Sequence, residues 1–200
     1  MRHKHIHQPD MTLSVIEVYT RDLTMMALSN TPLQAYEREV SSILEIVGRN
    51  ARRKCHPMLI GELDETRSAI TSEVIRRIAK GAVPDGVRAR QVVALDIDAL
   101  IAGTTGREEL EYRFREILWH IGVTAGRTIL FVEDFDRITD PDGKENTIDM
   151  ANILKPTLHL NSIRFFGTAT LANYRRCIEK DASLQRHFQE VGIHAIPLPS

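Results

Sequence analysis

The chain is poor in cysteine: Cys55 and Cys177 are its only two, far apart and outside any metal-site or redox spacing. That excludes a disulfide framework and a thiolate zinc centre, and fits a reducing compartment. Charge of one sign is also lacking, because 26 Lys plus Arg balance 27 Asp plus Glu. No global field selects nucleic acid or a membrane surface. No apolar run approaches the roughly eighteen residues of a membrane span. The N-terminus carries charge without an apolar stretch behind it, so it does not read as a secretory signal. Repeats and low-complexity blocks are absent too. The expectation is a cytoplasmic globular protein whose 200 residues suffice for one core. Residues 1–12, with His3, His5 and His7, are expected to be a flexible tail, and 13–200 an α/β domain.

What is present alternates in period. Residues 13–28 and 34–49 place apolar side chains at helical spacing, among them Leu13, Ile16 and Leu23, then Val40, Ile43, Leu44 and Val47. Short β-rich runs follow at Met58–Ile60, Gln91–Ile97, Thr128–Glu133, Ser162–Gly167 and Ile193–Ile196. Helical stretches near 67–80, 107–122, 146–157 and 171–179 separate them. Continuous apolar strands between helices predict a five-stranded parallel sheet covered on both faces, a three-layer α/β sandwich. Ligands of such sheets bind at the carboxyl ends of the strands. Three segments therefore converge on one crevice: Gly61–Ser68, Glu133-Asp134 and Thr168–Thr170.

The first of these segments sits where a phosphate loop belongs, and its residues are unlike one. A phosphate loop reads G-x-x-x-x-G-K-[ST], so that backbone N–H groups and a lysine cradle phosphates. Gly61 and Ser68 are kept, but Thr66 stands at the second glycine, Arg67 at the lysine, and Asp64 and Glu65 fill the turn. Asp64 reads as the N-cap of the helix that follows, with Glu65 in its first turn. Arg67 is expected to pair across the crevice with the strand-end acids. Histidines such as His56, His120, His159, His187 and His194 show no zinc-site spacing, and no G-x-S-x-G elbow is present. Phe114 and Trp119, on one helical stretch, read as core, and both cysteines as buried thiols.

Several stretches in one order carry a resemblance. They are Thr20–Thr24, Leu59-Ile60-Gly61-Glu62, Gly81–Val87, Leu95–Gly103, Asn152-Ile153-Leu154-Lys155-Pro156, and Tyr174-Arg175 through Ala182 with Leu184, Arg186 and Phe188. From about Tyr19 to Ser200 the chain resembles the first nucleotide-binding domain of the Clp/ClpB-type AAA+ disaggregases. The resemblance implies the large subdomain of a AAA+ phosphate-loop nucleotidase. By it, Gly61, Arg67 and Ser68 stand at the Walker A loop, and Glu133 and Asp134 hold the Walker B pair in inverted order. Thr170 matches the sensor-1 threonine. Arg186 matches one arginine finger, while His187 replaces the other. Gly106 stands at the pore-loop aromatic, and Gln34-Ala35-Tyr36 replaces the Ile-Gly-Arg near the base. The helical lid, middle coiled coil and second ring are expected to be missing.

These departures predict a pseudo-ATPase acting through protein–protein contact, with Clp-type subunits or with itself. No cofactor and no metal is expected. The alternative is a weak or atypical ATP/ADP-binding domain with magnesium. Two unit charges 4 Å apart at an effective dielectric near 20 interact by roughly 4 kcal/mol. Asp64 and Glu65 beside a triphosphate therefore offset much of a micromolar affinity of about 8 kcal/mol.

Overall fold

In the computed structural model, residues 14–29, 31–49, 56–139, 150–159 and 163–194 are described. The expected tail at 1–12, Cys55 and the turn Asp140–Gly143 lie outside them. The strands are β1 (Thr20–Asp22), β2 (His56–Ile60), β3 (Gln91–Leu95), β4 (Thr128–Val132), β5 (Arg164–Ala169) and β6 (Phe188–Gly192). They form one sheet in the order β1-β3-β4-β5-β2-β6. The expected five parallel strands are there, and β1 adds a sixth, antiparallel to β3 at the edge.

Strand alternation divides the core into two layers. Met58, Ile60, Val93, Leu95, Leu130, Val132 and Phe165 face one cluster, whereas Leu59, Val92, Ala94, Ile129, Phe131 and Phe166 face the other. Helices α3 (Glu37–Gly48) and α4 (Asp64–Ala79) cover the second face. Helices α6 (Arg107–Gly122) and α7 (Ala151–His159) cover the first, preceded by the short α5 (Ile97–Ala102). In α6 the buried side chains Leu110, Phe114, Ile117, Leu118 and Ile121 recur at the spacing of one helical face. In α4, Ile70, Val74, Ile75 and Ile78 do the same, with Asp64 and Glu65 in the first turn and Arg76 and Arg77 in the last, as the dipole favours.

Three sequence expectations are corrected here. Residues 13–28 do not form one helix, since α1 (Val15–Tyr19), β1 and α2 (Leu23–Met26) divide them. Asp22 sets that break: its carboxylate accepts from Thr24 N and Met25 N, capping α2, while Thr20–Asp22 pairs with β3. Among the described residues the last strand is Phe188–Gly192, ahead of the expected Ile193–Ile196, whose last two residues lie outside them. Its residues pair with all of β2, and the buried Phe188 ring lies against Phe135 and Phe165. The helical stretch expected at 171–179 is there, as α8 (Leu171–Tyr174) continued by a π-helical turn at Arg175–Glu179. Finally, Trp119 is 64% exposed, while Phe114 is wholly buried as expected. Cys177 is buried, as expected, and forms no disulfide.

Candidate functional site

The crevice at the carboxyl ends of the strands is assembled by neighbours in the sheet. Strand β2 lies between β5 and β6, so Gly61 follows directly beside the end of β5, and Gly61 N donates to Ala169 O at 3.2 Å. Past β6, Ile193 N donates to Ile60 O at 2.9 Å. A Cβ on Gly61 would run into Ile193 Cδ1, so any larger residue here forces that side chain to shift.

Helix α4 then starts at once. Leu63 is its N-cap residue, with no side-chain cap, and Asp64 is the first helical residue. The expectation of an Asp64 cap is therefore corrected by one position. The carboxylate turns instead to Arg67, one helical turn on, whose Nη2 donates to Asp64 Oδ1 at 3.2 Å.

Arg67 is the centre of the site. Its side chain is only 6% exposed. Nη1 donates to Gly61 O at 2.6 Å and to Glu62 O at 3.2 Å, and Nη2 also donates to Asp134 Oδ1 at 3.0 Å. One planar guanidinium thus ties two loop carbonyls, the helix start and the end of β4. Its Nε is buried without a partner, so the fit stops one bond short of complete. The pairing across the crevice goes to Asp134 and not to Glu133, which is exposed. Arg137 turns away, to Asp98.

Asp134 is held for this contact. Its backbone is left-handed, φ 48°, a conformation Asp adopts more readily than most residues. Its N–H donates to Thr168 Oγ1 at 3.0 Å. Sequence reasoning named Thr168 only as part of a segment, and nothing local marks its hydroxyl as the support of Asp134. Thr170 Oγ1 accepts from Asn173 N at 3.2 Å, as the N-cap of α8. Glu62 Oε1 accepts from Leu171 N at 3.2 Å, joining the loop to the same helix start. That contact was unforeseen, since 109 residues separate its ends.

The other side of α4 differs. Ser68 and Glu133 line one cavity of about 310 Å³, together with Thr71, Ser72 and Arg21. Arg186 is not part of the crevice. It precedes β6, whose first residue pairs with the first residue of β2, so it sits at the opposite end of the strands from Gly61. Five strand residues place the two ends roughly 16 Å apart. Arg186 is exposed, and its Nε lies 3.4 Å from His187 Nε2. Gly106, at the expected pore-loop position, precedes α6 as its N-cap residue.

Below the site, Glu73 of α4 is a second polar centre. Its side chain is 1% exposed and receives Arg76, Arg77 and Leu33 N. Arg76 above all holds the carboxyl down at about 2. Among the described residues no group of three or more His, Cys, Asp or Glu is placed to hold a metal ion. No described helix is long and apolar enough to cross a membrane.

Comparison with known proteins agrees with this architecture. The chain is 37% identical over 185 residues to chaperone protein ClpB 1 of Thermosynechococcus vestitus, covering 92% of this chain and 21% of that protein. It is 36% identical over 175 residues to the ATP-dependent Clp protease ATP-binding subunit ClpC of Staphylococcus epidermidis, covering 86% of this chain and 21% of that one. The chain thus spans about a fifth of the length of these relatives. Among solved structures, a closed-state reconstruction of Hsp104 with ATPγS and FITC-casein superposes with a TM-score of 0.77 at 30% identity. That match covers 90% of this chain and 31% of Hsp104. The family model of the SMAX1 nucleotide binding domain matches residues 28–200. The chain belongs to this family, a relative of the first nucleotide-binding domain of the ClpB and ClpC AAA+ chaperones.

Proposed function

We propose that this chain is a pseudo-ATPase domain, one that keeps the Clp-type nucleotide-binding fold and acts through contact with other proteins. The observation that carries the reading is the set of four hydrogen bonds by which Arg67 fills its own phosphate loop. A triphosphate needs inward N–H groups and an uncommitted cation. Here the cation is bonded to loop carbonyls and two carboxylates, and Asp64 remains 70% exposed at the helix start where phosphates would lie. The residues present do not fit the nucleotide, and no catalytic residue, cofactor or metal is assigned.

The partners we infer are Clp-type AAA+ subunits or a second copy of this chain, in the cytoplasm. Nucleic acid and membrane surfaces are disfavoured by the near-zero net charge of −1. Arg186 supports the choice of Clp subunits. It is exposed and remote from its own loop, which leaves its guanidinium within reach of a site on another molecule. The test is the ATPase rate of a ClpB chaperone with this chain in molar excess. We expect a changed rate that Arg186→Ala abolishes. An unchanged rate, with no complex in sedimentation, overturns the docking role.

One observation favours a second reading, a weak ATP/ADP switch with magnesium. Ser68 and Glu133 share an open cavity beside α4, so an acid and a hydroxyl remain accessible on that side. The two readings part on whether nucleotide stabilises the chain.

A further inference from the structure

A cavity away from the crevice lies between α6 and α7. It is a groove of about 620 Å³ floored by apolar atoms of Leu118, Trp119, Val123, Ile153 and Pro156. Trp119 and Val123 are 64% and 59% exposed at its mouth. Isolated exposed apolar residues need no explanation, but here an aromatic side chain, three aliphatic ones and a proline share one concavity.

The charge at one end selects the occupant. Arg107, Glu111 and Arg115 line the groove at successive turns of α6. Arg107 Nε reaches Glu111 Oε1 at 3.0 Å, and Arg115 Nη2 reaches Glu111 Oε2 at 3.2 Å. One carboxylate serves two guanidiniums, each more than half exposed, and the trio keeps a net positive charge. Each guanidinium has five N–H donors, so most remain for another acceptor. From Arg107 to Gly122 the helix runs about 22 Å. A facing helix of roughly sixteen residues matches that length. Trp and Arg are also the side chains that most often dominate binding energy at interfaces.

We propose that the α6–α7 groove docks an amphipathic helix of a partner protein, with an apolar stripe for the Trp119 end and carboxylates for Arg107 and Arg115. The helix lies along α6 with its acidic end toward Arg107. Its apolar residues, one turn apart, enter between Trp119 and Pro156. This surface is separate from the phosphate loop, so its fate does not depend on whether nucleotide binds.

Trp119 is the single tryptophan of the chain, which makes it a built-in reporter. The experiment titrates the full chain with a synthetic helical peptide of about sixteen residues, leucines at i, i+3, i+4 and i+7 and glutamates beside them. A second peptide carries lysines in place of the glutamates. The glutamate peptide should blue-shift Trp119 emission saturably, with affinity falling as salt rises. The lysine peptide should bind about tenfold more weakly. Arg107→Glu with Arg115→Glu should reverse that preference while circular dichroism stays unchanged. Three results overturn the proposal. One is no shift with the glutamate peptide; another is equal binding of both peptides. The third is a Trp119 already shielded in the free chain, by a second copy in sedimentation or by the chain's own segments at high dilution.

Discussion

Arg67→Ala tests the filled loop where it is strongest. The substitution removes two charge-assisted bonds to main-chain carbonyls, at 2.6 and 3.2 Å, each worth about 1.5 kcal/mol at the lower end for such bonds. The contact with Asp64 adds almost nothing, because that carboxylate is 70% exposed and solvent screens it. Asp134, at 36% exposure, adds at most about 1 kcal/mol by the same reasoning. The freed carbonyls recover some water, since Gly61 is only partly buried and Glu62 is exposed. The net loss is about 3 kcal/mol, which for a chain of this size lowers Tm by about 6–12 °C. Denaturant melts of both proteins give the difference directly. Hydrogen exchange should quicken at the amides of residues 62–66 and leave β4 unchanged. Arg67→Lys, which keeps charge without the planar fork, should lose about half as much. A loss below about 1 kcal/mol for Arg67→Ala would show that the loop holds itself and that Arg67 is incidental.

Three further outcomes follow from particular contacts. The His56 imidazole is buried at the start of β2, and burial first, then His187 and Arg164, push its pKa down to about 3. The unfolded chain binds that proton more readily, so stability is complete above about pH 6.5 and falls as pH drops toward 3. By pH 5 the loss should be about 2 kcal/mol in urea melts, and His56→Asn should flatten that window. Glu73→Gln leaves Arg76 facing a neutral amide in a nearly dry position, while Arg77 keeps Glu37, and should cost about 3 kcal/mol by denaturant melt. Gly61→Ala drives a methyl onto Ile193 Cδ1 and should cost about 1–3 kcal/mol, recovered in part by Ile193→Val.

Local pattern made most of the architecture legible. Strands β3 and β4 are apolar after their first residue, and α4 and α6 carry their buried residues at helical spacing. Arg67 was also readable as a partner for the strand-end acids, because its position at the loop fixes what lies across the crevice. The rest depends on contacts that no local pattern records. Three residues of β1 become a strand only because β3 offers an unpaired edge. The choice of Asp134 over Glu133 follows from a left-handed turn braced by Thr168, 34 residues away. Glu62 meets Leu171 only once β2 and β5 are side by side. The exposure of Trp119 is legible in its spacing. It stands five residues after Phe114, which turns it some 140° from the buried face at about 100° per residue.

Calorimetric titration with ATP and with ADP, each with magnesium, and a thermal melt in millimolar nucleotide, tests the central claim most directly. A ligand at one hundred times its dissociation constant adds about 2.7 kcal/mol of stability, so occupancy is visible in both readings. A loop filled by Arg67 predicts no heat of binding and an unmoved Tm. Saturable heat with a raised Tm contradicts it, and makes the open side of α4, at Ser68 and Glu133, the place to look for the nucleotide.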